Sequence, residues 1–358
     1  MTKRVLLLIE ALNQGGAERQ LSYLASGLNE KGLDVRLITF YKVDNFYKEY
    51  LNDSGITVEC LNSDSNKLKR IIGIRKLIKK WKPDLVVSFL NGANLAACIA
   101  RMFTNFNLAV SERNTTQILT KKEKLKFFLY RWADKIVPNS FSQAEFIEKN
   151  YPNLMPKVNV ITNMIDINKF SPYQETIKND VPEIITTARV TPQKNVLTYL
   201  EAIAELKRRG CDIHFNWYGR VDDDGTYWQQ IQDKIKELGI SNYVTFHGPT
   251  KNILEKYHKS DIFFLPSIYE GFPNVLCEAM ACGLPSIATK VCDSPRILQD
   301  ERWLVDPKDP IKMADALQNI INLSDLQRKD IGIQNRIKIT KMCSKDIFIS
   351  EYMKLTTL

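Results

Sequence analysis

The apolar residues of this chain fall into short continuous blocks, and the stretches between them carry the spacing of amphipathic helices. Val5–Leu12 is almost unbroken, as expected of a strand covered on both faces of a parallel sheet. Gln14-Gly15-Gly16 interrupts it, Ala17–Leu28 continues with helical periodicity to a stop at Gly32, and Val35–Tyr41 reads as a second strand. This strand, glycine turn, helix, strand order is a βαβ unit, and it recurs. Ile71–Trp81 predicts a basic amphipathic helix ending near Pro83, Leu85–Leu90 a strand and Leu95–Phe103 a helix. Leu108–Ser111, Ile136–Pro138 and Val158–Ile161 predict further strands. A second series opens at Glu183. Its predicted strands are Ile184–Val190, His214–Tyr218, Val244–Phe246, Ile262–Leu265 and Ser286–Ala288, and its helices are Val196–Arg209, Tyr227–Leu238, Ile253–His258 and Val275–Ala281.

Alternation of this kind predicts an α/β fold with a parallel sheet in each half. A chain of 358 residues accommodates two cores, and the polar, proline-bearing Ser171–Pro182 is the best place for a linker. The expected architecture is two Rossmann-like domains, residues 1–170 and 171–344, with parallel sheets facing across a cleft. Ligands of such sheets bind beyond the carboxyl ends of the strands, which would place the site in that cleft.

Charge changes this picture in one respect. The net charge is +9, and residues 1–170 carry 26 Lys and Arg against 16 Asp and Glu, while the rest is nearly balanced. A basic half implies an anionic partner: nucleic acid, an anionic membrane surface or a phosphorylated lipid. Lys67–Lys82 holds eight cations in sixteen residues. In Lys121–Trp132, cations precede Leu125, Phe128, Leu129 and Trp132, which share a helical face, as in an interfacial helix on anionic lipid; a core-packing helix with basic outer residues fits as well. Aromatic residues are not interleaved with the basic runs as nucleic-acid stacking platforms require, so no nucleic-acid partner is expected. Seven cysteines without a C-x-x-C pair, and only three histidines, give no zinc-site spacing, and a reducing, cytoplasmic compartment fits. Val5–Ile9 is too short for a signal peptide, and no apolar run reaches the length of a membrane span, so no membrane-spanning segment is expected and peripheral attachment stays compatible with the sequence.

Chemistry concentrates in the second half. Glu270-Gly271-Phe272-Pro273-Asn274-Val275 follows a predicted strand, and Asn274 is expected to cap the helix beginning at Val275. The backbone N–H groups of such a turn suit a diphosphate. Glu270 on the loop can reach sugar hydroxyls, and Glu278, a turn into the helix, a ribose diol. Spacing alone also fits two solvated glutamates. Arg189 and Lys194 flank Pro192 at the end of the strand Ile184–Val190, where they can clamp a leaving diphosphate or simply border a turn. Gly15-Gly16 lets backbone approach a ligand closely but is not a dinucleotide fingerprint. His214, His247 and His258 border strands or end a helix and are read as structural.

Taken together these residues resemble glycosyltransferase family four, retaining enzymes of the GT-B fold. Gln14-Gly15-Gly16-Ala17-Glu18-Arg19 is similar to its N-terminal motif, and Ala133–Val137 and Ile161–Phe170 to its two motifs before the linker. Arg189–Asn195 resembles its phosphate clamp, and Ser267–Gly283 its Glu-x₇-Glu signature. The resemblance implies a UDP-sugar donor, with a GDP-sugar as the alternative, and no metal or other cofactor. Arg189, Lys194 and Glu270 would act in catalysis. Gly15, Gly16, Gly271, Phe272, Pro273, Asn274, Val275 and Glu278 would complete the donor site, with Glu278 on the ribose. It further implies a front-face mechanism, and a final helix near 345–358 that packs back on the first domain. Where many relatives have a His, Glu112-Arg113-Asn114 stands here, a loop suited to an acceptor phosphate with Arg113 as donor. After Cys292, Asp293-Ser294-Pro295-Arg296-Ile297 replaces the usual glycine-rich turn. Ser88–Asn94 is similar to members that extend lipid-linked oligosaccharides, making Asn91, Arg113 and Asn114 the acceptor candidates. The implied reaction moves a hexose or N-acetylhexosamine to a polyprenyl-diphosphate-linked glycan in bacterial surface-glycan synthesis. A nucleotide-sugar epimerase of the same fold and a non-catalytic sugar-binding relative are the rivals.

Overall fold

The computed structural model of the chain describes residues 2–41, 46–61, 66–102, 104–173, 179–222 and 225–357. The chain divides into two compact units, Met1–Met164 with Lys345–Leu358, and Ile165–Ser344. The division after Met164 falls several residues before the linker expected from composition. Part of that linker, 174–178, lies outside the described residues, as do Phe103 and Leu358.

The first unit begins β1 (Arg4–Ile9), α1 (Gly16–Glu30), β2 (Asp34–Thr39), α2 (Lys48–Asp53), β3 (Val58–Cys60), α3 (Lys67–Trp81), β4 (Leu85–Phe89) and α4 (Asn91–Arg101). It continues with β5 (Leu108–Glu112), α5 (Lys121–Leu129), β6 (Lys135–Pro138) and α6 (Phe141–Asn150). Its sheet is parallel, in the order β3-β2-β1-β4-β5-β6. The apolar blocks are continuous because alternate residues feed two cores. Val5, Leu7, Ile9, Val87 and Phe89 pack on one side. Leu6, Leu8, Val86, Leu108 and Val110 pack on the other, with Ile74, Ile78 and Trp81 of α3 and Phe127 of α5. The prediction of a strand over Val158–Ile161 is corrected: only Val158 bridges to Ile136, and Ile161 N–H reaches Pro138 O outside any ladder. α3 starts four residues before the predicted helix because Asn66 caps it, accepting from Leu68 and Lys69 N–H at 3.0 and 3.1 Å.

The second unit runs β7 (Glu183–Thr187), α7 (Val196–Arg208), β8 (His214–Tyr218), α8 (Thr226–Leu238), β9 (Val244–His247), α9 (Ile253–His258), β10 (Ile262–Leu265) and α10 (Asn274–Ala281). Then follow β11 (Ser286–Thr289), α11 (Ser294–Leu298), β12 (Leu304–Val305), α12 (Pro310–Ile321) and α13 (Asp325–Cys343). The order β12-β11-β10-β7-β8-β9 repeats that of the first sheet. In each sheet the strand order reverses beside the first strand, between β1 and β4 and between β7 and β10, and that is where open α/β sheets take ligands. Gly332 of α13 lies so close to the turn ending α10 that a methyl group there would stand 1.9 Å from Gly283 O.

α14 (Lys345–Lys354) rejoins the first unit. Phe348, Ile349, Tyr352 and, beyond the helix, Leu355 are buried in its core, each contributing roughly 1.5–3 kcal/mol by removal from water. Gly27 of α1 makes room: a methyl group on it would lie 2.3 Å from Ile349 Cδ1.

Candidate functional site

In the second unit, two loops beyond the carboxyl ends of β7 and β10 are zipped together. Pro192–Lys194 forms a single 3₁₀ turn, and Asn195 enters α7 in the left-handed region at φ 60, which asparagine tolerates better than most residues. The Asn195 amide donates to Pro266 O at 3.0 Å and Pro307 O at 2.6 Å. Gln193 O accepts from Ile268 N–H at 2.9 Å, and its side chain donates to Tyr269 O at 2.9 Å. This frame brings the Lys194 ammonium 2.5 Å from Glu270 Oε1, which also accepts from Ser267 Oγ at 2.6 Å. The Glu270 N–H points at Cys292 Sγ, 3.3 Å away. Both partners of the ion pair are largely shielded, with 12% and 9% of their side chains exposed.

α10 begins at Asn274, with Pro273 in the capping position and no side-chain cap, so the expected Asn274 cap is corrected. Proline has no N–H to satisfy there and ends the loop on a restricted φ. Gly271 and Pro273 carry the chain from Glu270 into the helix, and Phe272 anchors the turn by packing into the core. Val275 is partly buried, and Glu278 is buried within α10. The structure thus places Lys194, Glu270 and the start of α10 at one sheet edge. Arg189, by contrast, is half exposed and pairs through Nη1 with Asp222 Oδ2 at 2.7 Å. Sequence reasoning missed Ser267, Asn195, Asp222 and Cys292 as partners; only Asn195, an asparagine immediately before a helix, carried a local signal. The three histidines bond to Thr245, Asn216 and Ser171 O, consistent with structural roles.

In the first unit, Gly15 precedes α1 in extended conformation, and its carbonyl accepts from Tyr47 Oη at 3.0 Å. Glu18 folds back over it, so that a side chain at position 15 would meet the carboxylate at 2.2 Å; burial raises the Glu18 pKa. Gly16 is the first residue of α1. Of the acceptor candidates, Asn91 and Asn114 are exposed beyond β4 and β5. Arg113 is turned inward. Its Nη1 donates to Asn163 Oδ1 and its Nη2 to Tyr352 Oη, both at 2.7 Å, and its guanidinium lies 4.3 Å over the Phe89 ring. Burial lowers its pKa, opposed by Tyr352. Arg113 thus ties the end of β5 to α14 through Tyr352, while its buried Nε has no partner among the described residues.

Beneath that edge Glu112, 1% exposed, accepts from Tyr130 Oη and from Lys126 Nζ at 2.7 Å. Lys126 also pairs with Glu123 at 2.5 Å. Burial alone would depress the Lys126 ammonium, but the two carboxylates outweigh it and its pKa is raised; burial and Glu112 push Tyr130 well up. The predicted face of Leu125, Phe128, Leu129 and Trp132 is split: Leu125 and Phe128 are exposed, whereas Leu129 is buried where the helix ends.

Two family models match the chain in tandem: residues 14–169 match "Glycosyltransferase Family 4", and residues 168–337 match "Glycosyl transferases group 1". A relative from Campylobacter jejuni, "GalNAc-alpha-(1->4)-GalNAc-alpha-(1->3)-diNAcBac-PP-undecaprenol alpha-1,4-N-acetyl-D-galactosaminyltransferase", is 26% identical over 332 residues, covering 89% of each chain. Another from that organism, "N-acetylgalactosamine-N,N'-diacetylbacillosaminyl-diphospho-undecaprenol 4-alpha-N-acetylgalactosaminyltransferase", is 28% identical over 300 residues, covering 79% of this chain and 80% of the relative. Among solved structures, Anabaena HepE in complex with UDP and glucose superposes with a TM-score of 0.82 at 19% identity, over 99% of this chain and 100% of the other. That likeness establishes the two-Rossmann-domain GT-B fold.

Proposed function

The chain belongs to the family-four glycosyltransferases, and from that premise we propose that it transfers a hexose or N-acetylhexosamine from a UDP-sugar to a polyprenyl-diphosphate-linked glycan, with retention of anomeric configuration. The observation that carries the reading is the Lys194–Glu270 pair at the β7–β10 reversal, beside the start of α10. Lys194 is a point charge suited to the diphosphate, the Glu270 carboxylate to a hydroxyl of the transferred sugar, and Glu278 to the ribose. Arg189 adds a second cation to the diphosphate by exchanging Asp222 for it. In this reading the bond between the anomeric carbon and the diphosphate oxygen breaks as the acceptor oxygen bonds to that carbon on the same face. The acceptor proton passes to an oxygen of the departing diphosphate, so no protein base is required. Negative charge grows on the leaving group, and the cations and the α10 amides stabilise it without a metal. The names of the two Campylobacter relatives, which specify undecaprenyl-diphosphate-linked glycans, and the UDP bound in HepE support this choice of acceptor and donor.

The test is a donor panel scored by nucleotide release with lipid-linked acceptors, followed by NMR of the product. UDP release that depends on acceptor, giving an α product from an α donor, is expected. GDP preference would change the donor; donor isomerisation without acceptor would reveal an epimerase. A second expectation concerns Glu278→Ala. Loss of a charge-assisted hydrogen-bond partner is worth about 1.5–3 kcal/mol, so UDP affinity measured calorimetrically should fall at least tenfold.

The proposed acceptor supports a location at the inner face of the cytoplasmic membrane. Among the described residues no helix is long and apolar enough to cross a bilayer. α3 and α5 both pack on α4, and they expose Leu68, Ile72, Leu125 and Phe128 among Lys67, Lys69, Lys121, Lys122 and Lys124. Apolar groups with surrounding cations suit an anionic lipid surface. The chain is expected to float with phosphatidylglycerol vesicles and not with phosphatidylcholine. Leu125→Asp with Phe128→Asp, or high salt, should release it. Equal binding to both vesicles would contradict this attachment.

A further inference from the structure

At the reversal in the first sheet, one carboxylate takes no part in anything described so far. Glu10 follows β1, and its carbonyl accepts from Phe40 and Tyr41 N–H at 3.0 and 3.1 Å, which pins the residue to the end of β2. Its side chain is half-buried and makes no hydrogen bond or ion pair with any described residue. The carboxylate lies against Gly92, near the start of α4: a methyl group on Gly92 would stand 1.8 Å from Oε1. Only glycine leaves the carboxylate this place. Leu90, immediately before α4, holds φ 72, a conformation costly for leucine, and Asn91 beside the notch is exposed. Strands β1 and β4 are neighbours at the point where the order turns, so the notch opens at the groove where such sheets bind ligands.

We propose that Glu10 is an acceptor-specificity residue, accepting hydrogen bonds from hydroxyl or amide N–H groups of the neutral terminal sugar of the acceptor. The inference rests on the acceptor reading given above. Charge decides which part of the acceptor it meets. A carboxylate repels a diphosphate, while sugar hydroxyls gain a charge-assisted bond from it. The lipid diphosphate therefore lies away from Glu10, and the growing end of the glycan lies against it. A glutamate serving only the start of α4 would bond to the amides there, as capping carboxylates do, and Glu10 bonds to none that are described.

The experiment measures acceptor and donor KM separately, using short-prenyl-diphosphate-linked N-acetylhexosaminyl glycans as acceptors, together with UDP affinity and Tm. Glu10→Ala should raise acceptor KM about tenfold or more, with Glu10→Gln between it and the parent, and UDP affinity unchanged. Gly92→Ala, which displaces the carboxylate, should reproduce the effect, and should add little on the Glu10→Ala background because the group it displaces is gone. A Glu10→Ala enzyme with the parent's acceptor KM, whatever its Tm, overturns the inference alone. A parent enzyme that binds UDP but neither binds nor turns over any of these acceptors overturns the acceptor reading and the inference with it.

Discussion

Lys194→Ala is expected to lower kcat by about a hundredfold or more, with a smaller change in donor KM. Its ammonium touches Glu270 at 2.5 Å, and a diphosphate bound at the start of α10, as proposed, would place developing negative charge at the same edge. Interactions that strengthen as charge develops appear in kcat, and removing one preorganised donor typically costs two to three orders of magnitude, about 2.7–4 kcal/mol. The side chain is nearly enclosed, so solvent cannot replace the lost charge. Lys194→Arg tests shape against charge: a planar fork replaces a compact point charge, and only partial recovery is expected. Single-turnover release of UDP separates the chemical step from binding; an unchanged rate for Lys194→Ala refutes the clamp.

The second large effect falls on stability. Lys126→Ala should destabilise the first unit by about 3–5 kcal/mol, because it strands the Glu112 carboxylate, 1% exposed, with Tyr130 as its one remaining side-chain donor among the described residues. Hydrogen exchange at the β5 and β6 amides reads this cost for that unit alone, where a global unfolding curve would mix two units. Combining Lys126→Ala with Glu112→Gln should restore much of the protection, since the buried charge is then gone. Loss of less than about 1 kcal/mol would mean that water reaches Glu112 freely.

What was legible in the sequence follows the range of the forces involved. Two doubly wound halves could be read because a strand buried on both faces must be continuously apolar, as Val5–Ile9 and Ile262–Leu265 are. β3 and β12, of three and two residues, are too short to leave a periodic signal, and Val158–Ile161 shows that β-rich composition does not supply a ladder partner. The Lys194–Glu270 pair was anticipated as a shared site, because both residues follow strands whose carboxyl ends the fold must bring to one edge. The partners that orient other candidates were not. Arg189 meets Asp222 across a neighbouring strand, and Arg113 meets Tyr352 from 239 positions away, through a helix that rejoins the first unit. Nothing local in Glu112-Arg113-Asn114 signals the bonds that Arg113 makes to Asn163 and Tyr352, because both partners lie far along the chain.

The most direct test of the central claim is a crystal structure with UDP bound. The account predicts a β-phosphate oxygen within hydrogen-bonding distance of Lys194 Nζ, with the ribose hydroxyls on the Glu278 carboxylate. UDP seated elsewhere, with Lys194 still closed on Glu270 and no phosphate contact, would contradict it.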